Sequence, residues 1–290
     1  MKEVITVDCN FAKDLRAIRE ILGLSQAELA AQLGVEQVTI SRNELGKTTP
    51  SDKLMERVYA FAFQKKIQLN RLKEMLWTEN LGKQYKLLFH GAKSAIAGEL
   101  SVRAGRTNND FGQGFYTGER YDQAISFVSG FDRSSVYLLS FVDVGLKCRQ
   151  YEVDQNWMMT IAYYRGTLDK YRDHPAVRKL KQDSRDCDYI IAPIADNRMF
   201  QIINSFIDGE ITDEQCKHCL AATNLGFQYV FVSEESIRHV KLLERCYISE
   251  DERKYYKDFR ASETKLGDDK VKLARITYRG KGKYIDEILT

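Results

Sequence analysis

Proline is scarce, at three residues in a chain of 290. No proline-rich stretch, internal repeat or low-complexity segment marks a linker. No apolar run approaches the roughly 20 residues that a membrane-spanning helix needs. The opening segment, "MKEVITVDCNFAKDL", has no long apolar core and no small-residue cleavage pattern, so no signal peptide is read there. These absences predict a cytoplasmic protein without a membrane partner. The six cysteines are dispersed, and only Cys216 and Cys219 lie close together, in "CKHC". No second pair follows at zinc-ribbon spacing and the segment has a helical pattern, so reduced structural thiols are expected and no metal. Neither sign of charge dominates: 44 Lys and Arg face 41 Asp and Glu, for a net +3. A basic surface for nucleic acid must therefore be local.

The length suggests two domains. In "FAKDLRAIREIL", Leu15, Ile18, Ile21 and Leu22 share one helical face, and Gly23 stops the helix. Ser25 and Glu28 form a capping-box pattern over "SQAELAAQL". Gly34 makes a turn, and "VEQVTISRNEL" supplies a second short helix that stops at Gly46. A further helix starts near Ser51, and "NRLKEMLW" adds another. Two short helices joined by a glycine turn form a helix-turn-helix.

The segments "LSQAELAAQLGV" and "VTISRNELGKTTPS" resemble the phage-repressor (Xre-like) family over most of residues 11–65. The resemblance implies DNA as a partner, with the second helix of the motif in the major groove. It makes Gln37, Thr39, Ser41 and Arg42 candidates for DNA contact, and Gln26 and Lys47 candidates for phosphate contact. Asn43 stands where an aromatic residue often sits, which alters packing at the helix end. A helical bundle for dimerisation or docking is the alternative. Repressor-like domains often bind paired half-sites, so a homodimer is predicted.

Beyond residue 84 the pattern changes. "KLLFHGA", "GQGFYT", "SSVYLLSFVDV", "CDYIIAPIA" and "FQYVFVS" predict strands. "RYDQAISFV" predicts a helix with Ala124, Phe127 and Val128 on one face, and "DNRMFQIINSFIDG" and "TDEQCKHCLAA" predict two more. "EESIRHVKLLE" begins a short helix or turn. Strands scattered among short helices predict an α+β domain with a mixed, split sheet rather than a doubly wound parallel one. "DFGQGFYTG", residues 110–118, has a lone G-x-G, without the third glycine of a dinucleotide fingerprint and without a G-K-[ST] phosphate loop.

"LFHGAK", "FGQGFYTGERYDQAISF" and "FQYVFVSEESIRHVKLLE" together resemble the three motifs of ADP-ribosyltransferases, of the diphtheria-toxin and poly(ADP-ribose)-polymerase-like group with its His-Tyr-Glu triad. A bacterial family of formerly unknown function with "DFGKGFY"-like and "PIADD"-like segments looks closer still. The resemblance spans residues 86–243 and implies NAD as co-substrate. It places His90 at an adenosine ribose hydroxyl and the Gly91 backbone at the nicotinamide carboxamide, where a side chain would obstruct approach. Tyr116 and Phe127 become walls against the nicotinamide ring. Ala124 falls where some members have a serine that bonds the carboxamide.

Gln228 falls at the catalytic Glu position. A glutamine keeps a hydrogen bond to the ribose 2′-hydroxyl but brings no negative charge and cannot act as a base. This implies single transfer rather than chain elongation, or inactivity. Arg103, Arg106 and Asp110 precede the second motif; an arginine there either neutralises the NAD pyrophosphate or lies in a solvated loop. Asp196 and Asn197 either cap the next helix or line the acceptor side.

The organisation read from the sequence is a helix-turn-helix domain at 8–78, a transferase-like domain at 84–245 and a charged extension at 246–290. The extension is expected to be an extra helix followed by strands, or a tail. The composite resembles toxin–antitoxin or phage-defence effectors, which implies an antitoxin partner and a macromolecular ADP-ribose acceptor. Two other functions fit the sequence: a non-catalytic regulator that senses NAD or ADP-ribose, and an adaptor with a degenerate pocket.

Overall fold

A computed structural model describes residues 9–223 and 226–290. The domain boundary at residue 8 lies outside the described residues. Five helices lead: α1 (Phe11–Ile21), α2 (Gln26–Leu33), α3 (Gln37–Glu44), α4 (Asp52–Gln64) and α5 (Leu69–Asn80). There follow β1 (Lys86–Ala92), β2 (Phe115–Gly118), α6 (Tyr121–Val128), β3 (Ser135–Phe141), β4 (Cys148–Gln150), α7 (Gln155–Tyr164) and α8 (Pro175–Arg185). The chain continues through β5 (Tyr189–Pro193), α9 (Asn197–Ile207), α10 (Asp213–Ala221), β6 (Phe227–Phe231), α11 (Glu234–Arg238), β7 (Val240–Cys246), α12 (Glu250–Thr277) and α13 (Ile285–Ile288). These elements fall into two compact units. One holds residues 1–98, 120–140 and 241–259; the other holds 99–119, 141–240 and 260–290.

In the first unit, the helical ends are set as the sequence predicts. Ser25 and Glu28 form the reciprocal capping box of α2, Ser51 caps α4, and Gly23, Gly34 and Gly46 all take positive φ. Phe11, Leu15, Ile18, Leu29, Ile40 and Val58 form the core. Ile21, expected on that face, is 54% exposed, because it lies at the edge of the apolar stripe in the last turn of α1. The same unit contains the strand run β1-β3-β7 and α6. Phe89, Tyr121, Ile125, Val136 and Leu138 pack together there.

The five helices are bound to this strand run by buried polar contacts. Lys73 Nζ reaches Asp14 at 2.6 Å and Glu244 at 2.7 Å. Tyr59 donates to Asp14, and its ring stacks on Tyr247. Asn70 donates to the Tyr247 carbonyl and to Glu252, and the Tyr121 hydroxyl donates to Glu252 at 2.9 Å.

Burial pushes the Glu252 carboxyl up to about 7, against the hydrogen bonds from Tyr121 and Asn70 and the Lys73 charge. A carboxyl with a raised folded value keeps its proton in the fold while the unfolded chain has released it. Its contribution to stability therefore falls as pH rises from about 4.5 to about 7, by about 3 kcal/mol. Glu252→Gln is expected to flatten the stability profile between pH 5 and pH 8. Urea unfolding of both proteins across that range checks this, and parallel profiles would contradict it.

In the second unit, β4-β5-β6-β2 form a mixed run: β4 and β5 are parallel, while β5–β6 and β6–β2 are antiparallel. This is the expected α+β class with a mixed sheet. Ile190, Ala192 and Val230 share one core with Trp157, Met158 and Ile161 of α7 and with Met199, Ile203 and Phe206 of α9. Phe141, Tyr189, Tyr229 and Phe231 form a ring cluster.

β4, α7 and α8 carry no expectation from the sequence. "EESIRHVKLLE" begins with the expected short helix, α11, and its later part runs into β7, a strand that carries no expectation from the sequence. The charged extension differs too: residues 250–277 form one 28-residue helix, and no strand follows Cys246 among the described residues. From residue 260 onward it belongs to the second unit, where Val271 and Ala274 pack on the core and Arg275 donates to Ser205 at 2.7 Å. No helix among the described residues is long and apolar enough to cross a membrane.

Candidate functional site

The residues proposed to meet DNA lie on α2, α3 and the turn after α3. Gln37, Arg42 and Lys47 are exposed, and Thr39 and Ser41 are half-buried. Behind them Glu44 is buried and held by Arg19 at 2.6 Å. Burial raises the Glu44 carboxyl, but the hydrogen bonds from Arg19 and Gln26 outweigh it and hold the group below its ordinary value. Gln26, a candidate for phosphate contact, is engaged within the domain: its Nε2 donates to Glu44 at 2.8 Å and its Oε1 accepts from Gln37 at 3.0 Å. The chain Arg19–Glu44–Gln26–Gln37 therefore fixes the start of α3 against α2. Asn43 is buried, and its amide donates to the Thr39 carbonyl at 2.8 Å. Its Oδ1 has no hydrogen-bond partner among the described residues, so the departure at this position leaves a polar atom buried at the helix end.

In the first unit β1 carries half-buried His90 and Gly91. A Cβ at Gly91 would come 2.5 Å from the Ala124 carbonyl oxygen and 3.0 Å from Val128. The glycine is thus required by the approach of α6, a packing reason separate from access to a ligand. Ala124 is buried. Phe127 is 45% exposed, because the buried stripe of α6 runs through Tyr121, Ala124, Ile125 and Val128 and leaves position 127 off it.

In the second unit the stretch "DFGQGFYTG" is a loop that runs into β2. Gly112 takes φ +74°, and a Cβ there would lie 2.8 Å from the Tyr164 ring. A Cβ at Gly114 would lie 2.8 Å from the Phe231 carbonyl. β2 pairs with β6 in the register Tyr116↔Val230 and Gly118↔Gln228, so Tyr116 and Gln228 point to the same face of the sheet. The Tyr116 hydroxyl is turned back onto its own loop: it donates to the Gly112 carbonyl at 2.8 Å and accepts from the Phe111 N–H at 3.0 Å.

Gln228 is 7% exposed, and its Nε2 donates to Asp110 Oδ2 at 3.1 Å and to the Pro193 carbonyl at 3.2 Å. Asp110 is buried and paired with Arg165, whose Nε and Nη2 lie 3.0 and 2.5 Å from Oδ1. Burial raises the Asp110 carboxyl; Arg165, Gln228 and the Ala195 N–H act against that rise. Arg165 also lies 4.8 Å over the Phe200 ring.

Arg106 is exposed in the loop before Asp110, and Arg103 pairs with Glu234 at 3.0 Å. Asp196 caps α9, accepting from the Arg198 and Met199 N–H groups at 3.0 and 2.9 Å. Cys216 and Cys219 are buried free thiols, and burial pushes Cys216 well above its ordinary value. No cluster of three or more potential metal ligands occurs among the described residues.

The sequence pointed to Asp110 and Gln228 separately. Their contact, and the role of Arg165, had no local signal, since Asp110 and Gln228 are 118 positions apart.

Two family models match the chain: one described as helix-turn-helix over residues 15–58, and one described as a protein of unknown function (DUF3990) over residues 86–242. No curated protein and no solved structure matches it. The second model covers more than half of the chain and runs from the start of β1 into the beginning of β7. The chain therefore belongs to the DUF3990 family and carries a helix-turn-helix ahead of that domain.

Proposed function

We propose that the chain binds DNA through the helix-turn-helix and transfers a single ADP-ribose from NAD to a macromolecule. The observation that carries the second part is the pairing of β2 with β6, which sets Tyr116 and Gln228 on one sheet face beside the glycine loop. NAD supplies the ADP-ribosyl group. The bond from ribose C1′ to nicotinamide breaks with its electron pair going to the ring nitrogen, an acceptor atom bonds C1′, and the acceptor releases its proton. In this chain Gln228 has both amide hydrogens engaged and offers Oε1 as acceptor to a ribose hydroxyl. Gln228 cannot take a proton, so the acceptor's proton leaves to solvent or to the acceptor's own base, and transfer stops after one unit. Tyr116 contributes an aromatic face.

Such a protein acts in this reading as a toxin–antitoxin or phage-defence effector in the cytoplasm, with an antitoxin partner and a dimeric DNA-binding head. Arg42 and Gln37, exposed on α3, contact bases or phosphates in it. Nicotinamide release from NAD by the full chain tests the enzymatic part. Tyr116→Ala is expected to lower that release about tenfold or more while the helix-turn-helix, which lies in the other unit, keeps its helical signal. Unchanged release would make this stretch a structural loop only.

A second reading has one observation in its favour: Gln228 is uncharged and almost fully buried. In it the domain binds NAD or ADP-ribose without turnover and controls DNA binding. Calorimetry with NAD, together with DNA binding in its presence and absence, separates the two. Tight binding without nicotinamide release selects the regulator.

A further inference from the structure

Position 228 has an amide, and the nearest carboxylate belongs to a residue far away in the sequence. We propose that Asp110 is a positioning residue for Gln228: it fixes the amide so that Oε1 is the atom offered to a ribose hydroxyl, and it polarises that oxygen through the amide. The proposal rests on the transferase reading above.

The orientation of the amide follows from its surroundings. Gln228 Nε2 has two hydrogens and meets two acceptors, Asp110 Oδ2 at 3.1 Å and the Pro193 carbonyl at 3.2 Å. The flipped amide would set Oε1 against a carboxylate oxygen and a carbonyl oxygen and lose both hydrogen bonds. Asp110 is itself held. Arg165 takes Oδ1 through two N–H groups, leaving Oδ2 for the amide, and the guanidinium is backed by Phe200. The order is Arg165, Asp110, Gln228, ligand. Hydrogen bonds in such a chain polarise one another, so donation to a carboxylate makes Oε1 a stronger acceptor than that of an isolated amide. No proton moves; both amide hydrogens stay on Nε2.

The same geometry explains why a glutamine stands here. A glutamate at this position would bring a second carboxylate to about 3 Å from Asp110, where one of the two must take up a proton. The charge sits on the loop before β2 and the amide on β6.

The test uses the full chain and four proteins: wild type, Asp110→Asn, Gln228→Glu and the double variant. In the double variant the introduced asparagine keeps its carbonyl toward Arg165 and turns its amide to the introduced glutamate, so the hydrogen bond re-forms with donor and acceptor reversed. Nicotinamide release is expected to fall at least tenfold in kcat for Asp110→Asn, with a smaller change in KM. Gln228→Glu is expected to fall likewise. The double variant is expected to recover at least tenfold over Gln228→Glu. It stays below wild type because the Pro193 carbonyl then faces an oxygen. Thermal melting of the same proteins supplies a readout independent of turnover. Gln228→Glu should lose melting temperature as pH rises from 5 to 8, and the double variant should not.

Asp110→Asn within twofold of wild type, or a double variant no better than Gln228→Glu, overturns the positioning role. A wild type that neither releases nicotinamide nor binds NAD, with the melting pattern intact, overturns the transferase reading instead and removes the ligand from the pair.

Discussion

Lys73→Met is expected to destabilise the first unit by about 3–5 kcal/mol, the cost of leaving buried carboxylates without their cation. Lys73 is 8% exposed, and its partners Asp14 and Glu244 are 4% and 14% exposed at their side chains. Methionine keeps the apolar stem and removes only the charge. What remains around Asp14 is the Tyr59 hydroxyl, and around Glu244 the Trp77 N–H at 3.2 Å. Because Lys73 ties α1 and α5 to β7, the loss should appear in the whole unit rather than in the leading helices alone. Urea unfolding followed by helical signal and by Trp77 fluorescence should show one shifted transition. Combining Lys73→Met with Asp14→Asn should cost less than the sum of the two, since each removes a charge the other leaves stranded. A loss under about 1 kcal/mol would mean that the ion pairs are matched by hydration and do not tie the elements together.

Gly91→Ala is expected to cost about 1–3 kcal/mol, the range for over-packing a well-filled contact. The added methyl would meet the Ala124 carbonyl oxygen at 2.5 Å, and a backbone atom inside a helix cannot swing aside as a long side chain can. α6 must shift as a body, taking exposed Phe127 with it. Gly130→Ala is the control: a Cβ there has no atom within 4 Å. Thermal melting should separate the two variants clearly. Equal melting temperatures would show that β1 and α6 have room to part.

The helix-turn-helix was legible because its signals are local. Gly23, Gly34 and Gly46 end helices at positive φ, and Ser25 and Ser51 cap them, all within a few residues. The strands carrying His90, Tyr116 and Gln228 were legible for the same reason: each is a short β-prone run with a glycine or a turn at its end. Periodicity misplaced Ile21 and Phe127, because a helical stripe has edges and a short helix gives few residues to locate them. α7 was missed because it is buried almost all round, from Trp157 to Ala162, and so lacks a polar face to set its period. β4 has three residues and no periodicity to read.

The polar contacts around Gln228 were the least legible part of the candidate site. Gln228 looks in sequence like the loss of a catalytic charge. Only the fold brings Asp110 against it and pairs Asp110 with Arg165. The charged extension shows the same limit: its acidic and basic residues hide the positions, Val271 and Ala274, that anchor α12 to the second unit.

The measurement that tests the central claim most directly is transfer from NAD labelled in its adenylate half. The full chain is incubated with a cell lysate, and modified macromolecules are identified by mass spectrometry. The account predicts label on a macromolecule as single ADP-ribose units, with nicotinamide released in equal amount. No transfer under varied conditions, or nicotinamide release with no labelled product, would contradict it.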